Sequence, residues 1–409
     1  MLKAGSLLYA IFICLMISIL AGGLIYFFTL NKTMATRQEI KNELVDQCES
    51  CFQYIYSNTK GLKENMTQEV DLFNDGIKCS FQYKKWGMYQ IMSGKTFFKK
   101  DTIRKSFMVG QKNKDRALAL YLCDFGEELK VSGTTEIFGE MYLPKKRFKT
   151  VNILGNLYKN NSKVEGAIKV ASQKLPRIVI EDLVNQKQLI KITLEEVIKN
   201  NINYNSFSKN TLIVYKNKSE SLENVALKGN FILKSLDTLY IPKTCKFEDI
   251  LVQGPKVVVE EGFTGSIQIE ATKEVILEKN VSLKYPSVIS IYKSDRDFEK
   301  TITISENSTI YGGVILDASS FREKQNNRLS LEENASIIGD VYCNGLFQHK
   351  GNVFGTVYVH KFELQTQSAK YADVVLNGII DATKKPDFFV NLPLFNDSNN
   401  QIENIKSVQ

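Results

Sequence analysis

Histidine occurs only twice in 409 residues, as His349 and His360, tryptophan once and proline seven times. The two histidines lie on a strand-rich stretch without metal-ligand spacing, which gives them and the nearby Cys343 ordinary core or surface roles and leaves no metal site to expect. No Gly-rich phosphate loop, G-x-S-x-G elbow or H-E-x-x-H motif is present, so the common phosphate, acyl-transfer and zinc-protease chemistries have no foothold. A composition of 43% hydrophobic and 24% charged residues excludes disorder, collagen and a coiled-coil rod for the chain as a whole.

The most telling absence is local. Between Lys3 and Lys32 there are 28 consecutive residues without a charge. About 20 apolar residues cross the hydrocarbon core of a bilayer, so residues 6–30 read as a transmembrane helix, and no small-x-small cleavage site follows them. An uncleaved signal anchor is expected, with Tyr9 near one interface and Tyr26, Phe27 and Phe28 near the other. Lys32, Arg37 and Lys41 outnumber Lys3 across the span, yet long domains translocate largely regardless of such charges, and an exported body on a bacterial inner membrane is the topology chosen. Small residues recur every fourth position, at Ser6, Ala10, Cys14, Ser18 and Gly22. That stripe is either an association face for assembly with a second helix or the general small-residue content of membrane helices.

Helical periodicity continues through Ile40, Leu44, Cys48, Cys51, Phe52 and Ile55, giving an amphipathic extension that ends near residue 58. Cys48-Glu-Ser-Cys51 is a C-x-x-C pair placed on the apolar stripe, where core packing is the first expectation and a disulfide or redox role the second. From residue 59 to 130 short alternating runs at Cys79, Gly87, Thr96, Ser106 and Ala117 predict a small antiparallel sheet. Within it, residues 84–116 carry ten Lys and Arg against two Asp, an excess equal to the formal net charge of +8 of the whole chain. Lys84, Lys85, Lys99, Lys100, Arg104 and Lys105 are therefore a candidate patch for an anionic partner, against the alternative of a solvated sheet face. Because the excess is local and no nucleic-acid motif accompanies it, nucleic acid is not an expected partner.

Further along, the unit apolar-x-Gly-x-apolar appears eight times, for example Ile137-Phe-Gly139-Glu-Met141, Ile310-Tyr-Gly312-Gly-Val314, Ile337-Ile-Gly339-Asp-Val341 and Val353-Phe-Gly355-Thr-Val357. The Gly shares parity with its apolar neighbours and is expected to face inward, leaving room where the chain bends. Matching runs end at Gly262, Asn280, Asn307 and Asn334, where a corner residue with φ > 0 is expected, and the steps between them are 18, 27 and 27 residues. Strand, corner, strand, Gly, strand predicts a mainly β chain built as a right-handed parallel β-solenoid, with first rungs at 131–175 and the main run at 226–364. Residues 176–225 then form an inserted lobe, and residues 365–409 a cap with a frayed polar tail.

Rungs such as Gly339-Asp-Val-Tyr-Cys-Asn-Gly and Gly355-Thr-Val-Tyr-Val resemble those of bactofilins, the polymer-forming bacterial β-helix family, which implies a solenoid. The N-terminal layout, a short Lys-Ala-Gly5 leader, an apolar helix running into an amphipathic one and then a sheet, is similar to type IV pilin-like proteins and pseudopilins. It differs from most pilins in having Ala10 where they carry Glu.

Tyr142, Tyr158, Tyr342 and Tyr358 each follow a motif Gly by three residues and have outward parity, so they are expected to pair into short exposed ladders. Such ladders serve either as a glycan or partner platform or as cross-strand support. The corner column Glu260, Glu278, Ser305, Glu332 is interrupted, which favours solvated corners over a Ca²⁺ or general-base ladder. The sequence therefore predicts a non-catalytic, single-pass envelope protein without cofactor that acts in a larger assembly. A membrane-tethered bactofilin-like scaffold and a solenoid carbohydrate-active enzyme are the alternatives.

Overall fold

The computed structural model describes residues 4–57, 67–112, 118–159, 163–178, 189–292, 299–318, 320–395 and 401–408. The chain is mainly β, with a long N-terminal helix, an antiparallel sheet and a much larger parallel sheet. Its contacts divide it into two compact units. The first holds Met1–Ile55, Thr67–Phe81 and Gly94–Lys105, and the second Tyr56–Met66, Gln82–Ser93 and Ser106–Gln409.

In the first unit a single helix, α1 (Ala4–Ser57), carries both the apolar run and the amphipathic extension. At 1.5 Å per residue its 54 residues span about 80 Å. Its apolar side chains from Leu7 to Leu30 are exposed, whereas Leu44, Cys48, Cys51, Phe52 and Ile55 are buried, as the periodicity predicts. The strands β1 (Thr67–Val70), β2 (Lys78–Trp86), β3 (Tyr89–Phe98) and β4 (Asp101–Lys112) are adjacent in that order in the antiparallel sheet, and Cys79, Gly94 and Thr96 of it meet the buried stripe. Phe52 lies over Gly94, where a Cβ would come within 2.8 Å of its ring, and Thr96 donates its hydroxyl to the Leu44 carbonyl at 2.8 Å. Cys51 is disulfide-bonded to Cys79, 28 residues on, and Cys48 stays a free thiol. The C-x-x-C spacing therefore does not give the pairing. An i, i+3 pair on one helix turn packs toward the sheet side by side, and it is the strand opposite that supplies the partner thiol.

The antiparallel sheet is longer and differently bounded than the sequence suggests. The runs at Gly87 and Thr96 are one strand, β3, and its edge beyond β4 is closed by Gln401–Ser407 of the tail, which pairs antiparallel with Phe107–Lys112. The tail expected to fray is thus held at residues 401–407. The run at Ala117 leaves this sheet altogether, because Leu118–Leu122 joins the parallel one.

The parallel sheet fills most of the second unit and, among the described residues, links 22 strands, of which Lys370–Ala372 joins antiparallel. Val257 lies opposite Val275, Val275 opposite Ile302 and Ile302 opposite Leu329, reproducing the steps of 18, 27 and 27. Side chains of one parity, among them Val257, Val275, Ile302, Ile310, Ile337, Val341 and Val357, form one continuous buried core. The corner prediction also holds: Gly262, Asn280, Asn307 and Asn334 have φ of 79°, 58°, 60° and 58°. Each of the first three donates its N–H to a carbonyl of the next corner, at Lys279, Glu306 and Glu333.

The motif glycines face a different constraint from the one expected. Gly312 and Gly339 are register partners with φ of 149° and 140°, and a Cβ on either would stand 1.7 Å from a carbonyl oxygen of the preceding strand, Ser287 or Gly312. Close approach of the preceding strand's backbone is what requires glycine there.

Two boundaries need correction. Leu189–Thr193 pairs parallel with Thr211–Tyr215, and Thr211–Tyr215 with Phe231–Lys234, so the described strands within residues 176–225 belong to the same sheet, with the short helix Leu194–Lys199 between two of them. Residues 131–175, expected ahead of the main run, are stacked at its other end. Val357 pairs with Leu120, Leu120 with Met141 and Met141 with Ile168, while Ile380 pairs with Ile137 and Ile137 with Val164. Stacking order and chain order differ because apolar register, which either end of the run can offer, decides the pairing.

Candidate functional site

The small-residue stripe Ser6, Ala10, Cys14, Ser18 and Gly22 lies within α1 and is exposed, and the Ser18 hydroxyl donates to the Cys14 carbonyl at 2.8 Å. Helix geometry places residues four apart on one face, so the stripe is continuous. Among the described residues, α1 is the one helix long and apolar enough to cross a membrane.

The six cationic candidates are divided between the two units. Lys99, Lys100, Arg104 and Lys105 belong to the first unit, where Lys99 has φ of 54° at a hairpin turn and Lys105 pairs with Glu49 at 2.5 Å. Lys84 and Lys85 belong to the second. There the Lys84 ammonium donates to the Phe207 carbonyl at 3.4 Å, and burial lowers its pKa to about 8. Net charge along a sequence segment says nothing about which side of a strand each residue takes.

The tyrosines are brought together more extensively than expected, with one substitution in the set. Tyr342 pairs with Tyr358, Tyr358 with Tyr121 and Tyr121 with Tyr142, and Lys169 follows opposite Tyr142. Ring centroids are 6.3, 6.2 and 5.2 Å apart along this column, and the Lys169 ammonium lies 5.4 Å from the last ring. Tyr158 is not in it and packs against the core instead. Tyr121 lacks a preceding motif Gly and was invisible to the repeat. Only the reordered stacking inserts it between Tyr358 and Tyr142.

The column is not an open platform. Tyr342 is 2% exposed and donates its hydroxyl to the Pro176 carbonyl at 3.1 Å, and Phe395 lies 5.0 Å from Tyr358. The chain itself covers this side of the sheet with Trp86, Tyr89, Met108, Leu392 and Leu394, which form a second core with Ile232, Leu251, Val288 and Ile315. The hairpin turn before β3 is keyed to it: the Gln268 side chain accepts from the Met88 N–H at 2.8 Å and donates to the Trp86 carbonyl at 3.0 Å.

At the corners the acids are engaged locally. Glu260 accepts from the Lys243 N–H at 2.7 Å and Glu278 from the Glu261 N–H at 3.0 Å, while Glu332 pairs with Lys350 at 2.7 Å. No group of three or more His, Cys, Asp or Glu side chains that could hold a metal occurs among the described residues. Burial lowers both His349 and His360 to about 4 and raises Cys123, Cys245 and Cys343 to about 12. Histidines and thiols so shifted are neutral at pH 7, as core side chains are.

No protein-family model matches the sequence, and no curated protein matches it. Among solved structures, the competence-associated pilin ComZ from Thermus thermophilus aligns over 85% of this chain and 87% of its own at 12% identity, with a TM-score of 0.17, too low for the alignment to carry any argument.

Proposed function

We propose that this protein is a non-catalytic, single-pass membrane-anchored structural or binding element of the bacterial cell envelope, with its body exported from the inner membrane and engaged in a larger assembly. The observation that carries it is the change of character along α1. The same helix exposes a charge-free apolar segment and then, one stretch later, buries Leu44, Cys48, Cys51, Phe52 and Ile55. Such a helix couples a bilayer to a folded body without a flexible joint. The Cys51–Cys79 disulfide supports the exported side, since disulfides persist in oxidising compartments and are rare in the cytosol.

Repeated parallel pairing at steps of 18 and 27 residues supports taking the large sheet as a β-solenoid of the usual right hand. Corner acids committed to local bonds are what support a non-catalytic role. Membrane fractionation followed by protease added outside opened outer membranes tests the proposal. Digestion of the body is expected, and full protection overturns it in favour of a cytoplasmic, bactofilin-like scaffold.

A further inference from the structure

One side of the parallel sheet holds a groove of about 720 Å³ that neither the tyrosine column nor the second core occupies. It runs across strands, because its wall residues are successive register partners: Tyr204 lies opposite Lys228, Lys228 opposite Glu248 and Glu248 opposite Ser266, with Lys284 on the next strand. Four strand steps of about 4.8 Å make it about 19 Å long. That length suits a linear polymer lying along the stack and not a compact metabolite.

Four lysines line it, Lys228, Lys246, Lys284 and Lys406, against Glu248 in the lining and Asp249 bonded to Lys406 behind it, four minus two or +2. Lys228 is tied to Glu248 at 3.0 Å, and Lys406 to the buried Asp249 at 2.5 Å. Asp249 is itself held by the Ser266 hydroxyl at 3.1 Å, which fixes the Lys406 head at the groove wall. Lys246 and Lys284 are exposed and form no ion pair among the described residues. Two exposed ammonium groups lining one groove, without an ion pair among the described residues, are favourable to an anion. Tyr204, 47% exposed, supplies an aromatic face at one end, and Asn203 and Thr264 supply polar groups that suit hydroxyls.

We infer that this groove binds an acidic, carboxylate-bearing polysaccharide chain, with Lys246 and Lys284 pairing its carboxylates and Tyr204 stacking on a sugar ring. Single-stranded nucleic acid is the competing polyanion, but it is served by aromatics interleaved along the path, and here Tyr204 stands at one end while the Tyr285 ring, also in the lining, is packed against Phe388 and Phe389. The exported body proposed above determines only where such a glycan would be met, and binding in solution is independent of it.

The experiment uses the full chain in detergent and measures binding of polygalacturonate oligomers, neutral dextran oligomers and single-stranded DNA at two salt concentrations. Expected are binding of polygalacturonate that weakens with salt, none of dextran, and a loss of about tenfold or more in affinity for Lys246→Glu with Lys284→Glu. Tyr204→Ala should weaken binding several-fold without altering the salt dependence. An unchanged affinity in the double variant, equal binding of dextran, or tighter binding of DNA than of polygalacturonate overturns the inference. All three substitutions are at exposed side chains, and circular dichroism of each variant confirms the fold.

Discussion

The two units solve the same problem of burying β-strands by different means. In the first, one helical stripe of five buried side chains covers a few strands, and a disulfide joins helix to sheet. In the second, a continuous core passes through the whole parallel sheet, and its buried cysteines Cys123, Cys245 and Cys343 stay unpaired. Small cores leave little surplus over chain entropy and benefit from a covalent staple, whereas a repeated stack adds core and backbone pairing with every strand. The difference also locates each unit's weak point: a single bond in one, a recurrent backbone geometry in the other.

That contrast can be broken most severely at Gly339. Gly339→Ala places a Cβ on the Gly312 carbonyl and is expected to cost more than about 4 kcal/mol, read as a collapse of the urea midpoint. A midpoint within experimental error of the parent would show that the stack relaxes there. Cys79→Ser should cost the first unit about 3–4 kcal/mol, seen as faster amide exchange at Leu44–Ile55 while the parallel core keeps its protection. Equal loss of protection in both units would contradict their energetic separation.

A third prediction concerns pH and the stack alone. His349 is 2% exposed with a native pKa of about 4 against an ordinary 6.5, so below 6.5 the unfolded chain takes up a proton that the native chain refuses. Stability is then lost as pH falls from 6.5 to about 4, by about 3 kcal/mol for this group. His360 acts in the same direction, and the buried Asp373, raised to about 6, in the opposite one. Comparing the parent with His349→Phe isolates the single group: the variant should lose less stability over that interval, and identical slopes would exclude the effect. The smallest expected change is at Asn334. Asn334→Ala keeps the corner but imposes φ near 58° on a residue that tolerates it less, costing about 1 kcal/mol, measurable as a small shift in midpoint.

What could be read along the chain were features of a single strand or turn. The helix, the corner asparagines and the 27-residue register each depend on residues within one repeat of one another. Tyr121, by contrast, has no repeat around it, and its place in the tyrosine column comes from a partner over 200 residues away, Tyr358. The cationic set shows a related point. Lys84 and Lys105 are close in sequence, but one is bonded within the parallel-sheet unit to Phe207 and the other to Glu49 of the helix.

The sequence by itself determined that an uncharged apolar helix precedes a β-rich body, and where that body turns, because hydropathy period and left-handed corners are properties of short segments. Only the tertiary structure decided which thiol Cys51 takes, that residues 118–170 stack beyond residue 352, and that four lysines from distant strands share one groove. Parallel pairing makes neighbours of residues at any separation, and the choice among such partners depends on which apolar faces remain to be covered.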